Sequence, residues 1–344
     1  MPTLKRVSMR EIADAVGVSV MTVSLALRGQ PHVAAETRDR VLKMADKMGY
    51  RPDPALSALV AYRSVKATPK FHGLITYLNC TPYPNVEHTN QLHTDYFEGA
   101  CERARELGYR LEPFWLNEPG MTSRRASQIL SYKQVAGILV APVHRLDVSI
   151  DLEWERFVSV SYGFSLAHPK LSAVSTHNFQ CISLAMEKIV EYGYKRVGLV
   201  INKSQDKRKL GAWSGAYLMQ QRNLIKAKDR IPILSIDDEN LEHFEKWYKR
   251  YRPDAVLVGY TSVIDAFDKM GLRIGEDVGV VLAYTGTTHY DLAHVDHNNR
   301  IVGREAMNVL SGFIYHNEKG LPSHPVQTLV DGEWKDGYSL PDKR

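Results

Sequence analysis

The sequence predicts a small all-α N-terminal domain followed by an α/β body with parallel sheets. Within residues 1–51, apolar residues recur at helical spacing between Gly and Pro breaks. From residue 73 onward, short apolar runs alternate with amphipathic stretches, the pattern of strands joined by crossover helices. The charge is also divided. Residues 1–66 carry 11 Lys/Arg against 6 Asp/Glu, while the rest of the 344-residue chain balances 33 against 33.

The first helix starts at Ser8-Met9-Arg10-Glu11, which fits a capping box, and its apolar stripe is Ile12, Ala13 and Val16. Gly17 stops it. Ser19 caps a second helix, in which Val20, Val23, Ala26 and Leu27 sit at helical spacing; Gly29 and Pro31 break it. A third helix is expected from Glu36 to Met48, burying Val41, Leu42, Ala45 and Met48, with Gly49 at its end.

Two short helices joined through a Gly turn make a helix-turn-helix. The outer face of the second carries Ser19, Met21, Thr22 and Ser24, small and uncharged enough to enter a major groove. The basic balance of this domain points the same way. A plain three-helix core with a mildly basic surface would read alike.

The stretch MREIADAVGVSVMTVSLALRGQPHVAAETRDRVLKMADKMGYRPD resembles the DNA-binding headpiece of the LacI/GalR family of bacterial transcriptional regulators. The resemblance implies DNA contacts from Ser8, Met9, Ser19, Val20, Met21, Thr22, Ser24, Leu25, Arg28, His32, Thr37 and Tyr50. It makes residues 52–70 a hinge helix and linker that fold on operator DNA, with Leu59 as the wedge that opens a base step in the minor groove. Some positions depart from the family pattern. Leu25 replaces an Arg that reads guanine, Leu56-Ser57 replace an Ala-Arg pair, and Ala34 replaces a capping Ser or Thr. An operator other than the usual one is expected, still a pseudo-palindrome.

In the body, strands are expected at 73–78, 136–142, 157–163, 196–201, 255–260 and 278–284. Helices are expected at 97–107, 123–132, 179–192, 213–223, 241–251 and 262–270. These strands exceed what one compact sheet holds. The resemblance implies a two-lobed body, residues 71–344, like a periplasmic binding protein, with a ligand cleft between lobes. It places lobe 1 at about 71–162 and 298–325 and lobe 2 at about 163–297 and 326–344, so the chain would cross near Tyr162, His297 and His324.

By family register the effector site comprises Tyr83, Tyr96, His144, Tyr162, Lys209, Trp213, Tyr260, Thr285 and His297, with Arg208 beside Lys209. Lys209 stands where the family usually has an Arg clamp, and Thr285 where it has an Asp. The long segment 79–95 also brings His88 and His93 towards the cleft mouth or the dimer surface. No phosphate-cradling Gly-rich loop and no nucleophile elbow occurs, so neither an enzyme nor a cofactor is expected. His289, His294 and His297 lie close in sequence but match no zinc spacing, and no metal is expected. Cys80, Cys101 and Cys181 read as ordinary reduced thiols.

No run is long and apolar enough for a membrane span, and no signal peptide opens the chain. The expectation is therefore a cytoplasmic, nucleoid-associated homodimeric regulator, a repressor, controlled by a small carbohydrate. The absence of an apolar heptad tail after SLPDKR argues for a dimer rather than a tetramer. The alternative is a cytoplasmic small-molecule-binding protein without gene control.

Overall fold

The computed structural model describes residues 7–27, 33–50, 72–84, 91–143, 145–236, 241–259, 261–283 and 291–344. The headpiece holds α1 (Met9–Val16), α2 (Val20–Leu27) and α3 (Ala35–Lys47). Ser8 closes the capping box on α1. Its N–H donates to Glu11 Oε2 at 2.7 Å, and its Oγ accepts the Glu11 N–H at 3.3 Å. Gly17 then ends the helix in the left-handed region, φ 75°, where a side chain is strained. Ser19 Oγ accepts the Thr22 N–H at 3.0 Å and so starts α2. Ala34 supplies no side-chain cap to α3.

The three helices close on Ile12, Ala13, Val16, Val23, Ala26, Val33, Val41 and Ala45. One expected core residue faces outward instead: Leu42 is 43% exposed. A three-helix core this small has room for one narrow stripe per helix, and Val23–Ala26 and Val41–Ala45 fill it.

The body is two six-stranded sheets, and their connectivity is the same. In the first, the order is β2 (Tyr109–Trp115), β1 (Gly73–Asn79), β3 (Gly137–Val140), β4 (Ser159–Tyr162), β5 (Ala173–Thr176) and β11 (Gln327–Val330). In the second it is β7 (Leu234–Ile236), β6 (Val197–Asn202), β8 (Ala255–Val258), β9 (Gly279–Leu282), β10 (Ala293–Asp296) and β12 (Glu333–Lys335). Only the β10–β12 pair is antiparallel among the described strands.

Each sheet is buried on both faces, and period-two alternation sorts its residues. In the first sheet Ile75, Tyr77, Leu139 and Val160 pack under α4 (Gln91–Glu106) and α11 (Asn299–His316). Leu78, Ile138 and Val140 face the other way, onto α5 (Ser123–Tyr132) and Trp154. In the second sheet Leu199, Leu257 and Val281 pack on α6 (Asn178–Glu191) and α8 (Ala212–Leu224). Val200, Val256, Val258 and Val280 face α9 (Leu241–Tyr251) and α10 (Ile264–Lys269).

β5 and β11 pair with each other in the first sheet. The chain therefore passes between sheets near His177, His297 and Asp331, not near Tyr162 and His324 as the sequence suggested. β5 and β11 are four-residue strands in which Ser, Thr and Gln dilute the apolar signal, so the boundary expected at Tyr162 falls one strand too early.

Candidate DNA-binding headpiece and ligand cleft

On α2, Met21 is 72% exposed and forms, with Val20, an apolar outer ridge. Ser19 and Thr22 lie at the start of the same helix, their hydroxyls 2.8 Å apart. Ser24 is half-buried. Leu25, Met9 and Tyr50 are half-buried and pack against the headpiece core, so only part of each is open to a partner. Ser8 is exposed at the start of α1, and Thr37 is half-buried in the first turn of α3. Arg28, His32 and Leu59 lie outside the described residues.

The cleft lies where the carboxyl ends of the two sheets face each other, the place that parallel sheets reserve for ligands. Its cavity holds about 200 Å³. The first sheet contributes Leu92, His93 and Tyr96 from α4, Pro142 and Val143 after β3, and Tyr162 to Ser165 at the end of β4. The second contributes Gln205, Arg208 and Lys209 after β6. Thr176, Asn178 and His297 sit at the crossings between them.

Tyr96 and Tyr162 stack with ring centroids 4.8 Å apart, and the Tyr162 hydroxyl donates to Gly303 O at 3.4 Å. Opposite them, Asn202 caps the short helix α7 (Lys203–Arg208) by accepting the Gln205 N–H at 3.0 Å. Lys209 ends that helix. Leu210 and Gly211 then both adopt left-handed backbone, φ 58° and 73°, turning the chain into α8. Buried Asp206 holds the turn. Its Oδ1 accepts the N–H groups of Trp213 and Ser214 at 3.1 and 3.3 Å, and its Oδ2 accepts the Ser214 hydroxyl at 2.6 Å.

The turn folds Lys209 back so that its Nζ lies 4.1 Å above the Trp213 ring. Burial, and then the adjacent Arg208, pull the Lys209 ammonium down to about 7; Asp206 partly opposes this. His297 is buried, with Nε2 2.8 Å from Ala283 O. Burial and then Lys209 lower it to about 4, so the ring is neutral at mildly acid pH and adds no charge there.

Two expected wall residues stand elsewhere. Trp213 is fully buried and its Nε1–H donates to Asn178 Oδ1 at 3.0 Å, so it seats Lys209 rather than stacking on a ligand. Tyr83 is 53% exposed and outside the cavity. His144, Tyr260 and Thr285 lie outside the described residues, as do His88 and His289. His294 Nδ1 is 2.7 Å from Leu292 O. Burial pushes the thiols of Cys80 and Cys181 up to about 12 and that of Cys101 up to about 11, which keeps them protonated and unreactive.

Residues 8–53 match the model of the "bacterial regulatory proteins, lacI family". The N-terminal domain is that of a lacI-family regulator. Across most of its length the chain is similar to the transcriptional regulator AglR of Rhizobium meliloti, 23% identical over 286 residues, covering 80% of this chain and 77% of that one. It is also similar to the repressor PurR of Haemophilus influenzae, 21% identical over 341 residues, covering 92% and 94%. Among solved structures, the fold matches the CelR–cellobiose complex with a TM-score of 0.57 at 17% identity, covering 97% of this chain and all of that one. It matches the lac repressor dimer bound to operator and the anti-inducer ONPF with a TM-score of 0.54 at 18% identity, covering 98% and 100%. The relatives are transcriptional regulators, not enzymes.

Four of the expected cleft residues converge on one cavity: Tyr96, Tyr162, Lys209 and His297. Sequence reasoning missed Thr176, Asn178 and Gln205 as lining residues. A boundary placed at His177 would have put Thr176 and Asn178 on the crossing itself, where both sheets reach a ligand.

Proposed function

We propose that this lacI-type regulator acts as a homodimeric repressor in the cytoplasm, reading a pseudo-palindromic operator and responding to a small carbohydrate in the cleft. The observation that carries the reading is a lacI-type headpiece on a body whose two sheets enclose a polar cavity at their carboxyl ends. The headpiece supplies Ser19, Val20, Met21, Thr22 and Ser24 on and around one helix face, with Ser8, Met9, Leu25, Arg28, His32, Thr37 and Tyr50 around it. Leu59 is the wedge in the minor groove. Cleft occupancy favours one lobe arrangement and so changes the spacing of the two hinge segments in a dimer. Structures of similar fold in complex with cellobiose and with glucose support a sugar as the effector.

A binding-site selection with the full-length protein tests the DNA half. It should return an inverted repeat, bound as a dimer by sedimentation, with affinity falling steeply as salt rises. Leu59→Ala should weaken specific binding by a few kcal/mol, roughly the scale of a lost kink, and leave non-specific binding nearly unchanged. A chain that binds no DNA specifically but still binds ligand would be a small-molecule-binding protein without gene control.

A further inference from the structure

The described residues that line the cleft include His93, Arg208, Lys209 and His297, and no Asp or Glu. The nearby carboxylates are engaged elsewhere. Both oxygens of Asp206 are spent on the start of α8. Asp296 Oδ1 accepts the Asn298 N–H at 2.9 Å. Asp95 accepts from Gln91 at 2.7 Å and from Asn299 at 3.4 Å. A neutral sugar needs acceptors for its hydroxyl protons, and ionised carboxylates are the strong ones.

Lys209 Nζ makes no hydrogen bond or ion pair to any described residue; it rests on the Trp213 ring beside Arg208. Burying the Lys209 ammonium beside another cation is costly unless a counter-charge reaches it. The left-handed turn at Leu210-Gly211 and the Asp206 cap keep Lys209 there nonetheless.

We propose that the cleft takes an anion, a small ring-shaped molecule whose carboxylate or phosphate sits against Lys209 and Arg208 while its ring lies along Tyr96 and Tyr162. This rests on reading the cavity as the effector site and names the charge of what fills it. It also couples binding to protons. The groups facing Lys209 are Arg208 and Asp206 on its own segment, Trp213 on α8, and neutral His297 after β10. Burial leaves this lysine partly deprotonated near neutral pH, and an anion raises its pKa, so binding draws in a proton.

The test uses full-length protein, calorimetry and thermal unfolding, with glucose, glucuronate, glucose 6-phosphate, glucosamine and the matching galactose series as probes. Acetate and inorganic phosphate serve as bare anions. Within a series the acidic member should bind at least tenfold more tightly than the neutral one, and the amine should be weakest. Lys209→Met should abolish that preference, and Lys209→Arg should keep most of it. Preference for the uronate or for the phosphate identifies the anionic group. Because a uronate stays ionised throughout, its affinity should fall by up to about tenfold per pH unit above 7, with measurable proton uptake at pH 8.

A neutral sugar that binds as tightly as its acidic partner, or a preference that survives Lys209→Met in a folded protein, overturns the anion and leaves the carbohydrate reading standing. Stabilisation by bare anions alone sinks the carbohydrate and keeps the anion. If no probe binds, both readings fail.

Discussion

The cleft wall built from the first sheet is lined by the aromatic rings of Tyr96, Tyr162 and Phe164, whereas the wall from the second presents Gln205, Arg208 and Lys209. The aromatic wall is set by close packing. Gly99 and Gly303 let α4 and α11 approach so nearly that a Cβ on either would fall 2.1–2.3 Å from the other helix's carbonyl oxygens. The same helices are tied outside the core by Arg300 to Glu98 and Glu102, and by Arg304 to Glu106. The cationic wall rests on a six-residue helix and a capped turn. One wall adds to the stability of the fold, while the buried lysine of the other detracts from it.

The sharpest way to break this contrast is Gly303→Ala. Its methyl would meet backbone on α4, Tyr96 O at 2.3 Å and Ala100 N at 3.0 Å, so neither neighbour can swing aside. Urea unfolding should show a loss of about 3 kcal/mol, the upper range of overpacking. An unchanged midpoint would mean that the aromatic wall is as yielding as the cationic one.

Asp206→Ala should cost about 2 kcal/mol, since it removes a buried cap and leaves two amides and a hydroxyl without their partner. It should also loosen Lys209 and weaken ligand binding, which calorimetry would register beside the stability loss.

Lys209→Met should act in the opposite direction. Removing a desolvated charge should stabilise the ligand-free protein. The folded lysine titrates at about 7 and the unfolded one near 10.4, so between those values the unfolded chain holds more protons and wild-type stability rises with pH. The advantage of the Met variant should therefore be full below pH 7 and gone by about pH 10, as thermal unfolding across that range would show. A gain that ignores pH would mean the lysine is not desolvated.

The smallest effect is expected for Tyr162→Phe. Its hydroxyl makes one long bond, 3.4 Å to Gly303 O, so the loss should stay below about 1 kcal/mol while the stack on Tyr96 survives. A larger loss by chemical denaturation would show the hydroxyl to be part of the scaffold.

Local signals were the legible ones. The helices at Ser123–Tyr132 and Leu241–Tyr251 appear at the bounds that their periodicity predicts. The capping box at Ser8 and the missing cap at Ala34 were also readable, because each involves residues three apart. The helix Asn299–His316 carries the same helical spacing in Val302, Ala306, Met307 and Leu310, though it is not among the helices expected above.

The cleft was less accessible, because it is assembled from segments far apart in sequence. Family register brought Tyr96, Tyr162, Lys209 and His297 to it, but residue type alone could not tell which way the Trp213 ring faces. That depends on Asn178, thirty-five positions away, taking its N–H. Edge strands such as β11 and β12 gain their pairing from distant partners and leave little periodic trace of their own.

The three crossings near residues 177, 297 and 331 form an axle on which one sheet can turn against the other. Thr176, Asn178 and His297 lie on the axle, where a small rotation scarcely displaces them. His93 and Arg208 belong to the arms, helices anchored in opposite sheets. A ligand touching only the axle would be held alike at every angle and could not act as a signal, since equal affinity for two states shifts neither. Under the regulatory role proposed above, a ligand long enough to bridge the arms would fix the angle, so its reach, more than its tightness of binding, would decide whether the message arrives at DNA.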